Sequence, residues 1–492
     1  MTDTASSYRS IVRSTGIVAG SQLGVLLIGL FRAKLFALWV GPTGIGLLGI
    51  LNSLLANVAL VTSMGLGTSA VRHVADPSER PATVRRAVLW LALLLGTIGG
   101  LATFMLRAPM STALTGDAGL ADEIGWLGLA VGLTVFAAAL TAVVQGLRRL
   151  GDLAILQLGG TTIGVVVGTV AVAMMGVDGI IVAAIAAPAG LVIVGLVVQS
   201  RIRLATDADR QVSGIRSLWA AMLKVGAVIM VTALIAGLTQ TLLRTLILRN
   251  LGIEQLGLFQ AASAISTMNV TLVLTAMAAD YYPRLSQVAD DGAAIERLLN
   301  QQLHVAILAS LPILVMLSAG SGLWLQILYS GTFTPAADLL RWQALGEAVR
   351  LPLWALGYVL LARRDTAAFV IHELSFSLTS VPALLLAMRW LGLEGAGLAF
   401  LIGYLASFAV TLALVRWRHG VALSGRSLRL WLLLTAATGA LLLLGRAAPV
   451  AAMAIGIPLA VGLGLHALRT LAKDGALPGP LARLMQIEVA GP

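Results

Sequence analysis

The chain has 492 residues, of which 58% are hydrophobic and 11% are charged, and its formal net charge is +11. This composition is too apolar for a soluble domain of that length and predicts a protein that crosses a membrane many times. Cysteine is absent from the sequence, which excludes disulfides and thiolate metal sites. The positive charge would suit a nucleic-acid partner, but the basic residues sort by membrane side, so no nucleic acid is expected.

Apolar stretches long enough to cross a bilayer, which takes about 20 residues, recur along the whole chain. They predict an all-α, polytopic membrane protein with about fourteen transmembrane helices. In chain order, the predicted spans lie near residues 11–40, 43–71, 84–106, 123–147, 154–175, 179–200, 218–249, 253–282, 299–327, 337–362, 367–389, 393–416, 428–445 and 449–469.

The basic residues between the predicted spans are concentrated on one side of the membrane. With the N-terminus inside, the outer segments contain only Arg107, Arg249, Arg389 and Arg446. Cytoplasmic loops of membrane proteins are richer in lysine and arginine than outer loops, so both termini are predicted to face the cytoplasm. The polar start, MTDTASSYRSIVRS, carries no cleavage motif, and no cleaved signal peptide is expected.

The sequence contains two copies of a segment of about 200 residues. Arg32, in GLFRAKLFALWVGPTGIG, corresponds to Arg244, in TLLRTLILRNLGIEQLG, and the pair Arg148/Arg149 corresponds to Arg363/Arg364. Repeated bundles with charge inside the bilayer are typical of transporters. The repeat predicts two six-helix lobes related by a pseudo-two-fold axis around a central cavity. The predicted parts are an N-lobe (1–203), a cytoplasmic linker (204–217), a C-lobe (218–418) and a C-terminal pair of spans with a tail (419–492).

Six basic residues lie inside predicted spans, where a charge at mid-bilayer costs roughly 2.5–3.5 kcal/mol and so faces water or a partner. Arg32 and Lys34 are two positions apart, about 200° around a helix, so one is expected to face a cavity and the other to snorkel. The repeat favours Arg32 for the cavity, and anchoring of the span ends is the alternative for Arg32 and Arg244. The predicted substrate-binding residues are Arg32, Lys34, Lys224, Arg244, Arg341, Asn57 and Asn269.

Three of these residues have a plainer alternative role. Lys224 opens the seventh predicted span near the cytoplasmic surface, where snorkelling explains it equally well. Asn57 and Asn269 occupy near-equivalent positions in the second and eighth spans, and could line a central space or form hydrogen bonds between helices.

Acidic residues in the second copy are the candidates for gating or ion coupling. Glu347 and Arg350 share one face of the tenth predicted span with Gln343 and can form a structural ion pair or a gate. Glu373, in the eleventh span, could bind a proton reversibly or hydrogen-bond a neighbouring helix. The predicted gating or coupling residues are Glu347, Arg350, Glu373 and Asp280. No catalytic residue, metal site or cofactor is expected, because no nucleotide-binding or metal-ligand pattern occurs.

The distribution of charge indicates the kind of cargo. No acid lies in the interior of the first six predicted spans, whereas Arg32 and Lys34 do. A cavity dominated by arginine attracts an anionic group, and the planar fork of donors on arginine suits phosphate and pyrophosphate. The residues by themselves therefore indicate a transporter that accepts an anion.

The sequence also resembles a known family. The resemblance is carried by the runs RAKLFALWVGPTGIGLLGILNS, LGLFQAASAIS and GTFTPAADLLRWQALGEAVRLPLWALGYVLLARR, and it extends over roughly residues 8–418. These runs resemble polysaccharide flippases of the Wzx type in the MOP exporter superfamily, above all the lipid III flippase branch, which serves enterobacterial common antigen. The resemblance implies alternating access and a bacterial inner-membrane location.

The implied cargo is an undecaprenyl-pyrophosphate-linked oligosaccharide, such as an O-antigen, common-antigen or exopolysaccharide repeat unit, moved from the cytoplasmic to the periplasmic leaflet. The implied partners are this lipid-linked oligosaccharide, the lipid bilayer and a polysaccharide polymerase machinery. The resemblance points to Lys34 as the basic position of the first span, in competition with Arg32. It also implies family roles for Glu347, Arg350 and Glu373, whereas Arg32 and Arg341 depart from the branch pattern.

The last two predicted spans are unusual for Wzx proteins. They are similar to the extra pair of the lipid II flippases, which forms a groove for the lipid tail, and a role in stability is the alternative.

Three other functions compete with a flippase. A multidrug exporter of the same superfamily would be expected to hold an acid in its first lobe. A membrane-embedded glycan enzyme would need a large outer loop, and a scaffold would not need buried arginines.

Overall fold

The computed structural model describes the backbone of residues 2–202 and 215–473 and most side chains between residues 20 and 472 in these ranges. In these ranges every long element is an α-helix, which confirms the predicted all-α class. The helices are α1 (Thr2–Ser63), α2 (Leu66–Ala75), α3 (Pro81–Met105), α4 (Arg107–Thr115), α5 (Ala121–Gly146), α6 (Leu150–Met175), α7 (Gly179–Arg201), α8 (Ile215–Leu251), α9 (Ile253–Gln287), α10 (Gly292–Ala319), α11 (Ser321–Leu328), α12 (Ala337–Ala362), α13 (Thr366–Leu391), α14 (Glu394–His419), α15 (Gly425–Ala447) and α16 (Pro449–Lys473). Most of the predicted linker lies outside the described residues.

Ten segments of the described chain are long and apolar enough to cross a membrane. Two of them, Gly20–Ser63 with 44 residues and Leu150–Arg201 with 52 residues, are about twice as long as one crossing requires. The first is broken at Gly41 and the second by the 3₁₀ turn Gly176–Asp178. Both breaks fall between predicted spans. The multi-spanning architecture is therefore confirmed, and the number fourteen stays a prediction.

The break in α1 depends on a glycine. Gly41 has φ 59° and ψ −162°, a backbone conformation that is essentially restricted to glycine. Pro42 follows it and has no backbone N–H, so it cannot continue the helical hydrogen bonds across the break. The two halves of α1 can therefore take different directions.

The predicted repeat is visible in the backbone of the chain turns. Three pairs of positions, one from each copy, have positive φ angles. These pairs are Gly41 and Gly252 (59° and 88°), Arg148 and Arg364 (55° and 56°), and Gly176 and Gly392 (61° and 54°). Positive φ is uncommon for residues other than glycine, so its recurrence at an arginine in both copies is specific. The copies share their local turn geometry, and the symmetry of whole lobes stays a prediction.

The chain divides into two compact units, Met1–Gly257 and Leu258–Pro492. The first unit contains α1 to α8 and the start of α9, and its core includes Leu66, Val88 and Val143. The second unit contains the rest of α9 and the helices α10 to α16, with a core around α12 that includes Leu356 and Leu360. The boundaries of the N-lobe (1–203) and the C-lobe (218–418) stay a prediction.

Glycine faces allow the helices of the first unit to approach closely. On α6, a Cβ added to Gly164 would lie 2.7 Å from the Cα of Ala187 on α7, and one added to Gly160 would lie 2.7 Å from the Cα of Leu191. On α3, a Cβ added to Gly100 would lie 2.6 Å from the carbonyl oxygen of Gly128. Lipid supplies no hydrophobic force between helices, so close packing of small residues is a main source of their association.

The C-terminal helices α15 and α16 are packed into the second unit. The indole N–H of Trp431 on α15 donates to the carbonyl oxygen of Ala348 on α12 at 3.0 Å. Arg446, at the other end of α15, forms an ion pair with Glu394 at 2.9 Å. Apolar side chains of α16 pack against α10 around Val315. These helices stabilise the unit, whatever further role they have.

Replacement of Gly164 tests the close approach of α6 and α7. We expect Gly164→Val to lower the free energy of unfolding by about 1–3 kcal/mol, because the new side chain meets the backbone of α7. Thermal unfolding of the purified protein in detergent measures the change. Gly151→Val is the matched control, because Gly151 on the same helix has no atom within 4 Å of an added Cβ. Equal effects of the two variants would contradict the glycine contact.

Candidate functional site: a cavity with an arginine in the first unit

The first unit contains an open cavity of about 860 Å³. Its wall comes from α1, α2, α5, α6 and α7. The lining residues are Val25, Gly29, Arg32, Leu55, Gly67, Thr68, Val71, Arg72, Thr134, Ala137, Ala138, Thr141, Ala142, Gln145, Thr161, Val165, Ala187, Pro188 and Leu191. Most of this surface is apolar, and two arginines, one glutamine and four threonines provide its polar groups. A cavity of this kind can hold an amphipathic molecule with an anionic group.

Arg32 lies on the wall of this cavity. It comes from the first half of α1, and its guanidinium carbon lies 5.9 Å from the centre of the Phe36 ring one turn further on, within cation–π range. Lys34 is half-buried and is not among the lining residues. Contact of either residue with a substrate stays a prediction.

Sequence reasoning missed the second arginine of the cavity. Arg72, on the short helix α2, lies just beyond the predicted span 43–71, and it lines the same cavity as Arg32. The backbone leaves the helix at Met64 and Gly65, both with positive φ, and α2 then packs beside α5. Gln145, near the end of α5, lines the cavity as well. The positive φ at Met64 has no signature in the sequence, so the position of Arg72 could not be read from it.

Arg244 and Asn57 take part in polar contacts between α8 and the second half of α1. One guanidinium nitrogen of Arg244 donates to the hydroxyl oxygen of Ser53 at 2.7 Å, and this hydroxyl donates in turn to the carbonyl oxygen of Gly49. The side-chain amide of Asn57 donates to the Thr241 hydroxyl at 2.6 Å and also to a backbone carbonyl on α8. These bonds tie the two helices together inside the first unit. A substrate role for either residue stays a prediction.

In the second unit, the tenth predicted span forms α12 and contains the expected ion pair. Glu347 is fully buried, and one guanidinium nitrogen of Arg350 lies 3.2 and 3.3 Å from its two carboxylate oxygens. The guanidinium carbon of Arg350 lies 5.8 Å from the centre of the Tyr404 ring on α14. One turn earlier, the Gln343 amide donates to the Ser263 hydroxyl at 2.7 Å. The buried carboxylate is thus held by a charged partner on its own helix.

The other predicted residues of the second unit are spread apart. Arg341 is 4% exposed, is paired with Asp338 and packs beneath Gly445 of α15. Asp280 is exposed and pairs with Arg284 at 3.0 Å.

Glu373, on α13, is half-buried, and its carboxylate lies 3.8 Å from the ring of His372. His372 itself forms a hydrogen bond with the Thr411 hydroxyl on α14 at 2.8 Å.

In the first unit, Lys224 is exposed on α8. The side chain of Asn269 lies outside the described residues.

The loops outside the helices carry two exposed acids with local partners. The hydroxyl and the backbone N–H of Ser78 donate to Asp76 and keep the pKa of its carboxyl below the usual range. The backbone N–H of Gly119 and the hydroxyl of Thr115 do the same for the pKa of Asp117. Both acids shape tight loops.

Solved structures show the class of fold. The structure described as "Lipid II flippase MurJ, inward closed conformation" superposes with a TM-score of 0.67 at 14% identity, covering 92% of this chain and 99% of that one. An inward-facing multidrug resistance MATE family transporter of the MOP superfamily gives a TM-score of 0.67 at 16% identity, covering 80% of this chain and 94% of that one. The fold is thus that of multi-spanning transporters.

Sequence comparison shows the family. The family described as "Polysaccharide biosynthesis protein" matches residues 36–338, and the chain belongs to this family. The lipid III flippases of Escherichia coli (strain K12) and Shigella flexneri are each 23% identical over 420 residues, which cover 83% of this chain and 99% of the relative. These relatives are named as flippases, and none of the relatives or structures compared is named as an enzyme. Family membership and these relatives agree with the expectation of a membrane transporter.

A charge-deleting substitution tests the ion pair of α12. We expect Glu347→Gln to lower the free energy of unfolding by about 3–5 kcal/mol, because it leaves Arg350 without its charged partner in a largely buried place. Adding Arg350→Met to the same chain is expected to recover much of this loss. Unfolding in mixed detergent micelles measures both variants.

The control is Asp280→Asn, which removes an exposed carboxylate from its pair with Arg284. An exposed pair contributes at most about 1 kcal/mol, so this variant is expected to unfold almost as the native chain does. A Glu347→Gln variant as stable as the control would show that the buried pair contributes nothing measurable.

Proposed function

We propose that this protein is a flippase that moves a polyprenyl-pyrophosphate-linked oligosaccharide from the cytoplasmic to the periplasmic leaflet of a bacterial inner membrane. The observation that carries the proposal is the match to lipid III flippases over 99% of their length, together with membership of a polysaccharide biosynthesis family. The fold shared with a lipid II flippase agrees with it. Both termini face the cytoplasm in this proposal, and the two repeats form the two lobes of an alternating-access transporter.

The cavity of the first unit supports an anionic cargo. In the proposal, Arg32 binds the pyrophosphate through charge-assisted hydrogen bonds, which are about twice as strong as neutral ones. Arg72 adds positive charge to the same cavity, while its apolar wall suits the lipid portion of the cargo. No acid is among the described residues that line this cavity. A cavity of this charge favours an anion over an organic cation.

The other predicted residues keep narrower proposed roles. Arg244 and Asn57 hold α8 against α1 and would transmit movement between these helices when the cavity opens. Glu347, Arg350 and Glu373 are proposed to respond to protons during the transport cycle. With Arg32 facing the cavity, Lys34 is proposed to snorkel. Lys224, Arg341 and Asn269 keep their predicted role in substrate binding, Asp280 keeps its predicted role in gating or coupling, and a polysaccharide polymerase machinery is the proposed downstream partner.

Deletion of the gene tests the function directly. We expect cells without this protein to accumulate one polyprenyl-pyrophosphate oligosaccharide, because the assembled unit cannot leave the cytoplasmic leaflet. Mass spectrometry of the extracted polyprenyl lipids measures the accumulation and identifies the glycan, and expression of the native chain is expected to remove it. Increased sensitivity to cationic compounds without any lipid accumulation would instead favour a multidrug exporter.

Paired substitutions test which basic residue of the first span binds the cargo. We expect Arg32→Ala to reduce glycan export by about tenfold to a hundredfold, since a hydrogen bond to a charged group is worth about 1.5–3 kcal/mol. Arg32→Lys keeps the charge but not the fork of donors and is expected to recover only part of the activity. Export is measured in deleted cells that carry each variant.

Lys34→Ala is the matched control, two residues away on the same helix and outside the cavity wall. It is expected to export almost normally when the protein level equals that of the native chain. Normal export by Arg32→Ala combined with a loss in Lys34→Ala would reverse the assignment.

A further inference from the structure

We propose that a second cavity, in the second unit, binds a phosphate-bearing anionic group at the end of the helix bundle. This cavity has a volume of about 940 Å³. It lies between the end of α9, the start of α10 and the start of α15, and we call it the α10–α15 cavity. Its lining includes Arg284, Glu296, Arg297, Asn300, Ser424 and Arg426. The proposal is independent of the flippase activity.

Three arginines from three helices meet at this cavity. Arg284 comes from the last turn of α9, Arg297 from the second turn of α10 and Arg426 from the first turn of α15. Along α10, Arg297, Gln301 and His304 are spaced by four and three residues, so they share one face of the helix. The cavity is thus lined by donors that converge from different parts of the chain.

The positive charge of the α10–α15 cavity is only partly compensated. Arg284 is paired with Asp280. Among the described residues, no carboxylate lies within ion-pair distance of Arg297 or Arg426. Glu296 is the acid in the lining, and its carboxylate accepts a hydrogen bond from the backbone N–H of Ala422 at 3.1 Å. The Nε–H of Arg297 donates to the carbonyl oxygen of Ala293 at 3.4 Å, which leaves the terminal N–H groups of Arg297 and the guanidinium of Arg426 to bind an anion.

The wall of the cavity is held in place by hydrogen bonds between α10 and the segment that leads into α15. The Asn300 side chain donates to the carbonyl oxygen of Ala422 at 3.1 Å and accepts from the backbone N–H of Ser424 at 2.7 Å. The Ser424 hydroxyl caps α15 by accepting from the backbone N–H of Ser427. The backbone that carries Arg426 is thereby fixed before any ligand arrives. Preorganisation of this kind lowers the entropic cost of binding.

The chemistry of the donors identifies the ligand class. Guanidinium groups match the oxygens of a phosphate with two parallel hydrogen bonds, and the nearby N-termini of α10 and α15 favour negative charge. The arginine-rich loops place this end of the unit at the proposed cytoplasmic surface, where basic pockets between transmembrane helices bind anionic lipid head groups. The phosphate can belong to such a head group or to a soluble compound.

The α10–α15 cavity gives the C-terminal helices a function beyond packing. Ser424, Arg426 and Ser427 all belong to the start of α15, so the cavity cannot form without this helix. The sequence leaves open whether the extra pair forms a lipid groove or stabilises the fold. In a third role, the C-terminal pair of helices contributes an arginine to a polar cavity. This role involves the head group of a lipid rather than the lipid tail.

The test uses the full-length protein, purified and stripped of lipid. Native mass spectrometry measures the binding of phosphatidylglycerol against phosphatidylcholine, and thermal unfolding measures stabilisation by sodium pyrophosphate. The test variant is Arg297→Gln/Arg426→Gln, with the single Arg426→Gln as a second variant should the double one unfold. The matched control is Arg429→Gln, which removes an exposed arginine of α15 that is not among the lining residues.

We expect the native chain and Arg429→Gln to prefer phosphatidylglycerol equally, and each cavity arginine replaced to weaken this binding about fivefold. That result assigns the site to a lipid head group. Stabilisation by pyrophosphate that the double variant loses, without a lipid preference, assigns it to a soluble phosphate. Absence of both effects in the native chain overturns the proposal, as does an equal loss of binding in Arg429→Gln.

Discussion

The structure depends first on the backbone hydrogen bonds that a chain must form inside lipid. Hydrocarbon offers no water to an unpaired N–H or C=O group, so each segment that crosses it has to pair its backbone groups internally, as an α-helix does. The chain meets this requirement with long helices and restricts its breaks to a few places. Gly41 interrupts α1 with a conformation that only glycine adopts readily, and Arg148 and Arg364 turn the chain at corresponding places in the two copies. The positions of these breaks decide which helix faces can meet.

Helix association in this protein uses two different means. In the first unit, glycine faces on α3 and α6 let the backbones of neighbouring helices touch, and side-chain hydrogen bonds join α8 to α1. In the second unit, the central helix α12 carries polar side chains that are satisfied within the bundle, above all the pair Glu347 and Arg350. Small residues permit tight and regular packing, whereas a buried ion pair requires its partner groups in one arrangement.

Both cavities follow from this difference in packing. The cavity with Arg32 is enclosed by helices with small and apolar faces, and its few polar groups project from α1, α2, α5 and α6. The α10–α15 cavity lies at helix ends, where loops bring arginines from separate parts of the chain together. The first suits an amphipathic cargo that passes through the protein. The second suits a ligand that stays at the membrane surface.

Local chemistry in the sequence was sufficient for several features of the site. The spacing of Glu347 and Arg350 on a 3.6-residue helix predicted that the two side chains can pair, and the structure has this contact. The choice between Arg32 and Lys34 as the residue that faces a substrate stays a prediction. Local chemistry in the sequence could not predict contacts between residues that are distant in the chain. The bond between Arg244 and Ser53 joins residues 191 positions apart, and it depends on how α8 packs against α1. The same holds for Arg72, whose position depends on the turn at Met64.

The amino-acid sequence by itself determined the all-helical membrane class, the internal repeat and the charged residues available inside the bilayer. These features follow from composition and period, because a bilayer requires apolar helices of a minimum length wherever the chain crosses it. Only the tertiary structure decided which of the charged residues line a cavity and which pair with a neighbour. That choice depends on helix rotation and packing, which arise from close contacts among many side chains and not from any one segment.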